Sequence, residues 1–141
     1  MVELTQTEAA KNGVSVQTEF ADALPEIVGD RVELQQVAVN LILNAIEAMS
    51  GTSEYARKLL IRTAIADRGG ALVAVMDSGP GLPPASIERL FDPFYTTKPG
   101  GLGIGLSICR SIIEGHGGRL WVSRNLPHGA SFQFTLPAAD D

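Results

Sequence analysis

The sequence is short of several features that would narrow its role. It has one cysteine, Cys109, which excludes an internal disulfide and fits a reducing compartment. Lys and Arg number 11 against 16 Asp and Glu, for a net charge of −5 and a pI near 5.0. The cations are scattered, whereas a nucleic-acid binder carries a basic stripe, so a nucleic-acid partner is not expected. An acidic balance does not exclude a phosphate ligand, because backbone N–H groups at a helix start bind anions without any excess of Lys and Arg. No apolar run is long enough to span a membrane and no signal-peptide pattern opens the chain. The chain therefore reads as cytoplasmic, with no direct membrane contact, or as a cytoplasmic piece of a longer protein. Repeats and low-complexity tracts are absent.

What is present is ordinary globular material. At 141 residues and 45% hydrophobic content, a single domain over 1–141 is expected, with 1–12 as the end of a connecting helix. A chain of this size buries roughly 68% of its unfolded surface, enough for a core without disulfides or metals. Asn12-Gly13 suits the left-handed end of that first helix. In "VSVQTEF", Val14, Val16 and Phe20 alternate with polar residues, the pattern of a half-buried strand. "GDRVELQQVAVNLILNAIEAMS" is the strongest helix, with Asp30 as its cap and Glu33 spaced to reach back in a capping box. "ARKLLIRTAIA" and "GALVAVMD" form a hairpin through Asp67-Arg68-Gly69-Gly70.

A stretch rich in Gly and Pro follows, "SGPGLPPASIERLFDPFYTTKPGGLGIGL", with a short helix expected at Pro84–Leu90. So long a loop within one domain is usually functional. "LSICRSIIEG" is a helix with Leu106, Cys109, Ile112 and Ile113 on its apolar face and Gly115 as its C-cap. "RLWVSR" and "ASFQFTLP" close the chain as a second strand pair, in which Phe132, Phe134 and Leu136 alternate with Ser131, Gln133 and Thr135. Strand pairs interleaved with helices point to a two-layer α/β (α+β) sandwich and not to a doubly wound parallel sheet.

Four stretches carry possible chemistry. In "NLILNAIEAM", Asn40, Asn44 and Glu47 fall on one face of an otherwise apolar helix. A buried amide must be paired; two amides and a carboxylate in one stripe suit either an internal network or a hard cation such as Mg²⁺ that is shared with substrate phosphates. "DSGPG", Asp77 to Gly81, ends an apolar strand. It is a plain turn, or a carboxylate that accepts from an exocyclic amine beside glycines that admit a flat ligand. "GGLGIGLSICR" places Gly101, Gly103 and Gly105 before a helix, where N–H groups and the helix dipole face an anion; it matches neither the P-loop nor the dinucleotide glycine pattern. "FDPFYTTK" joins three aromatics to Lys98. The aromatics suit a small hydrophobic cluster under the loop.

Together, in this order, the four resemble the N, G1, F and G2 boxes of the ATP-binding catalytic domain of bacterial sensor histidine kinases. The likeness covers about Val14 to Pro137 and is especially close to the nitrogen-fixation, oxygen-sensing kinases. It implies the Bergerat fold: a mixed, largely antiparallel sheet with helices on one face. It further implies ATP and Mg²⁺ as cofactors. Asn44 corresponds to the metal ligand, Asn40 to a polar catalytic position one turn earlier, and Asp77 to the residue that pairs with the adenine amine. Gly79, Gly81 and the run Gly101-Leu102-Gly103-Ile104-Gly105-Leu106 correspond to the nucleotide contacts, and the segment from Phe91 to Gly101 to the ATP lid.

The chain departs from the family pattern in three places. Glu47 stands where many sensor kinases have lysine, leaving Lys98 or Arg110 to meet phosphate. Leu102 stands where threonine is frequent. Asn40 stands where the related topoisomerase and chaperone ATPases have glutamate; an amide is no general base, so poor hydrolysis and phosphotransfer to another protein are expected. The acceptor histidine of the family lies on a helical hairpin absent from this sequence. His116 and His128 sit at turn-like positions and read as structural or exposed. The implied partners are that histidine domain of the same kinase and a response-regulator receiver domain. The alternatives are a serine kinase of the anti-sigma class and a non-catalytic nucleotide-binding interaction domain.

Overall fold

A computed structural model describes residues 9–22, 24, 25, 27, 29–50, 57–66, 69–79, 91, 105–124 and 128–138. Helical residues 9–11 end in a turn at Asn12 and Gly13, and β1 follows at Ser15–Glu19. Helix α1 spans Arg31–Ser50. Strands β2 (Lys58–Ile65) and β3 (Ala71–Asp77) are paired antiparallel. Helix α2 spans Gly105–Gly115, and β4 (Arg119–Arg124) pairs antiparallel with β5 (Ala130–Leu136). The short helix expected at Pro84–Leu90 lies outside the described residues. No helix among the described residues is long and apolar enough to cross a membrane.

The five strands form one sheet in the order β1-β2-β3-β5-β4. The two hairpins pair antiparallel, and β3 joins them through β5. β1 runs parallel to β2, which the α1 crossover between them allows, since a parallel neighbour needs a long connection. The sheet is thus mixed and largely antiparallel. Register decides which face is covered. Leu59, Ile61, Val75, Phe132, Phe134 and Leu120 lie in cross-strand rows of one parity, and all are buried with Val37, Leu41, Ile42, Ala45, Ile46 and Met49 of α1 and Cys109 and Ile113 of α2. Both helices therefore cover the same face. The opposite rows carry Arg62, Ala74, Gln133 and Trp121, with the Arg119 guanidinium 5.1 Å from the Trp121 ring centre.

Three local details differ from the sequence reading. Phe20 follows the last residue of β1 and is 56% exposed; the strand stops before alternation can turn it inward. The capping box is only half made. Asp30 Oδ1 accepts from the Glu33 N–H at 3.0 Å, but the Asp30 N–H donates to His116 Nε2 at 2.9 Å and is not the partner of Glu33. α2 ends at Gly115, but the left-handed capping glycine is Gly117. The N–H groups of Gly117 and Gly118 donate to Glu114 and Ile113 carbonyls at 3.0 and 2.9 Å, a Schellman arrangement with Gly117 at φ 82°.

His116 is thereby a structural residue, as expected, with a defined role. Its Nδ1 lies 2.8 Å from the Ile112 carbonyl, which can only accept, so Nδ1 carries the proton and Nε2 is free to accept from Asp30. One imidazole thus ties the end of α2 to the start of α1. Its ring fills the space beside Gly29, where an added Cβ would come within 2.6 Å of it.

Candidate functional site

α1 is apolar on most of its circumference because it is wedged between the sheet and α2. One face carries Asn40 and Asn44 at a spacing of four, with Glu47 and Ala48 at its far end. At the upper end, the Asn40 amide donates to Cys109 Sγ of α2 at 3.7 Å. At the lower end, the Ala48 carbonyl and Met49 Cγ each lie 3.4 Å from where a Cβ on Gly79 would stand. Asn44 therefore sits midway along the seam, between the α2 contact and the turn that follows β3. Asn40 and Asn44 are half-buried and Glu47, one turn beyond Asn44, is exposed. The stripe asked of the sequence thus has two uses: Asn40 is paired inside the helix layer, and Asn44 and Glu47 approach the surface.

Asp77 closes this seam. It is the last residue of β3 and only 2% exposed. Its Oδ1 accepts from the Gly79 N–H at 2.9 Å and from the Ala130 N–H at 3.2 Å. Burial pushes its carboxyl above the usual carboxylate range, and the two backbone donors and the nearby His128 oppose that rise. A buried carboxyl with a raised proton affinity, held at a strand end by backbone donors, marks a candidate site. The turn is anchored to its surroundings: the Lys58 N–H donates to Ser78 Oγ at 2.8 Å, and Ser78 Oγ donates to Met49 Sδ at 3.6 Å.

The start of α2 carries the described end of the glycine-rich run. Gly105 is its first residue and is exposed, and a Cβ built there meets no described atom within 4 Å. Glycine at a helix position lowers stability relative to alanine, and packing among the described residues does not require it. Leu106, also read as a nucleotide contact, packs its side chain partly against the core. Phe91 is half-buried, with its ring edge-on to Phe132 at 6.3 Å, and packs against the core; the other two aromatics of that stretch lie outside the described residues. The Arg110 guanidinium lies 5.2 Å from the Phe91 ring centre and 3.3 Å from Glu114, so it is engaged by neighbours on its own side of α2. Gly81, Lys98, Gly101, Leu102, Gly103 and Ile104 lie outside the described residues.

Cys109 is fully buried, and burial pushes its thiol up, with the Asn40 hydrogen bond opposing. It is a protonated core residue at neutral pH and no nucleophile. Sequence reasoning missed two participants. His128 places Nδ1 3.2 Å from the Gly79 carbonyl, and Ala130 holds Asp77 through its backbone; neither has a side-chain pattern that links position 128 or 130 to position 77. Among the described residues no three His, Cys, Asp or Glu side chains form a metal cluster. A cation here would rely on the amide oxygen of Asn44 and on ligand oxygens, a donor set that suits Mg²⁺.

Comparison with known proteins identifies the family and the fold. Residues 29–140 match the family described as histidine kinase-, DNA gyrase B-, and HSP90-like ATPase. The sensor protein FixL of Bradyrhizobium diazoefficiens is 49% identical over 115 residues, 82% of this chain and 22% of FixL. The catalytic domain of histidine kinase ThkA, free of nucleotide, superposes with a TM-score of 0.82 at 38% identity, covering 96% of this chain and 86% of that domain. ThkA is also similar in its complex with the response regulator protein TrrA, with a TM-score of 0.79 at 33% identity over 97% of this chain and 38% of that one. Full-length ShkA in complex with AMPPNP gives 0.84 at 30% identity, over 99% of this chain and 28% of ShkA. The chain thus spans less than a quarter of FixL but most of an excised catalytic domain.

Proposed function

We propose that this chain, which belongs to the histidine kinase-, DNA gyrase B-, and HSP90-like ATPase family, is the ATP-binding catalytic domain of a two-component sensor histidine kinase. It binds Mg-ATP and hands the γ-phosphoryl group to a histidine on a helical hairpin domain of the same kinase, from which a response-regulator receiver domain takes it. The whole of 1–141 works as one domain, on the cytoplasmic side. The observation that carries this reading is Asp77: a carboxylate 2% exposed, oriented by two backbone donors at the end of β3, before a turn whose Gly79 rests on Ala48 and Met49 of the helix that carries Asn44.

Each residue then has a task. Asp77 accepts from the exocyclic amine of adenine, and Gly79, with Gly81, lets the base lie against the turn. The Asn44 amide oxygen would hold Mg²⁺, which would supply positive charge to offset that of the phosphates. Glu47 lies beside it as a second oxygen donor. The backbone of Gly101 to Leu106 and the N-terminus of α2 face the phosphates, and Lys98 meets them from the lid. Catalysis is then positioning and charge stabilisation. Asn40 cannot take a proton from water, and its amide is already directed at Cys109; hydrolysis is slow and phosphotransfer is favoured.

Calorimetric titration with an ATP analogue and Mg²⁺ tests the assignment. Asp77→Asn keeps an oxygen for the backbone donors but turns the remaining acceptor into an amide. It is expected to weaken binding by roughly 10- to 150-fold, the range for a hydrogen bond to a charged group. Binding equal to wild type would remove the adenine role. Omitting Mg²⁺ is expected to weaken wild type but to change little in Asn44→Ala.

A further inference from the structure

We propose that His128 is a positioning residue for base recognition: its imidazole holds the Gly79 carbonyl and so fixes the turn that presents Asp77 to adenine. The proposal rests on the reading of Asp77 as the adenine acceptor. Four groups close a circuit. Asp77 Oδ1 accepts from the Gly79 N–H at 2.9 Å. The Gly79 carbonyl lies 3.2 Å from His128 Nδ1. His128 is followed by Gly129 and Ala130, and the Ala130 N–H returns to Asp77 Oδ1 at 3.2 Å. A carbonyl only accepts, so Nδ1 carries the proton and donates.

The circuit is tight. Gly129 stands at φ 114°, and an added Cβ would lie 2.0 Å from the Asp77 carbonyl oxygen. The start of β5 is thus pressed against the end of β3, and a side chain at 128 is carried to the Gly79 carbonyl. Gly79 in turn rests on Ala48 and Met49 of α1. A change of one peptide orientation at Gly79 would release its N–H from Asp77 and tilt the carboxylate away from the base. The imidazole opposes that rotation by engaging the other end of the same residue. Without it the carboxylate keeps its Ala130 donor but loses its fixed direction, so recognition of the amine suffers more than the fold does.

The test compares His128→Ala with His128→Asn, whose Nδ2 amide occupies the place of imidazole Nδ1 and donates likewise. Affinities for ATP and GTP analogues are measured by calorimetry, and folding is followed by circular dichroism. His128→Ala is expected to lose roughly two- to tenfold in ATP-analogue affinity, the worth of one hydrogen bond, and to narrow the preference for adenine over guanine. His128→Asn is expected to restore both. Wild-type affinity and preference in His128→Ala would overturn the proposal, as would an equal loss in both variants or a loss that only follows the unfolded fraction. Asp77→Asn run alongside separates the two readings. If it binds as wild type, the adenine assignment fails; if it loses binding while His128→Ala does not, only the role of His128 fails.

Discussion

The two ends of α1 are built on opposite principles. At its start, donors and acceptors are matched in pairs within the fold: Asp30 Oδ1 takes the Glu33 N–H, His116 Nε2 takes the Asp30 N–H, and His116 Nδ1 is directed at the Ile112 carbonyl. At its other end lies a buried carboxylate, Asp77, whose ionised form is disfavoured by its surroundings. A histidine serves each end, but one locks two helices together and the other engages the carbonyl of the turn that follows β3. The difference separates scaffold from site. Stability is concentrated where polar groups are matched to each other inside the fold, whereas Asp77 holds a carboxyl out of water at a strand end, the setting in which functional groups cluster.

The largest effect expected from this contrast is on binding as a function of pH. Because burial raises the Asp77 carboxyl, the folded chain holds a proton over a window in which the unfolded chain has already lost it. Stability from this group is therefore greatest at the acid side of that window and falls as pH rises through it. Nucleotide binding, on the proposed reading, runs the other way, since the ionised carboxylate is the stronger acceptor for the amine and a proton on its outer oxygen would stand in the amine's place. Affinity should drop on acidification beginning above the usual carboxylate range, while the apo thermal midpoint loses less than in Asp77→Asn controls corrected for the same pH. Parallel calorimetry and thermal melts on wild type and Asp77→Asn would reveal whether the two curves diverge.

Next comes Gly129→Ala. Both the positive φ and the missing space at the Asp77 carbonyl oppose a side chain, and the loss should be about 2–4 kcal/mol in denaturant titrations. An unchanged midpoint would mean that β3 and β5 do not approach as closely as described. The smallest effect belongs to the scaffold end. His116→Asn removes the acceptor for the Asp30 N–H and should lower stability by about 1 kcal/mol, whereas His116→Gln, whose Oε1 reaches the place of Nε2, should lose less. Neither is expected to alter nucleotide affinity in the folded protein. A loss of affinity there would erase the distinction between the two ends.

The elements themselves were legible in the residues. The alternation of Phe132, Phe134 and Leu136 and the periodicity of α1 yield strand and helix because one face of each must be buried. The motif residues were equally legible, since Asn44, Asp77 and Gly105 lie at the ends or on the polar row of those elements. The glycine cap moved from Gly115 to Gly117 because both are compatible with local rules, and only the Ile113 and Glu114 carbonyls choose between them. Glu33 lost its reciprocal role because His116, 86 residues from Asp30, offered the same N–H an acceptor.

The amino-acid order alone determined the mixed sandwich, the polar row on α1 and the set of motifs, because periodicity, capping and turn chemistry act over a few residues. Only tertiary structure decided that Asn40 faces Cys109, that Ala130 and His128 guard Asp77 and Gly79, and that one imidazole joins two helices. Those contacts join residues 49 to 86 positions apart. Their partners are selected by sheet register and helix packing, which no local pattern records.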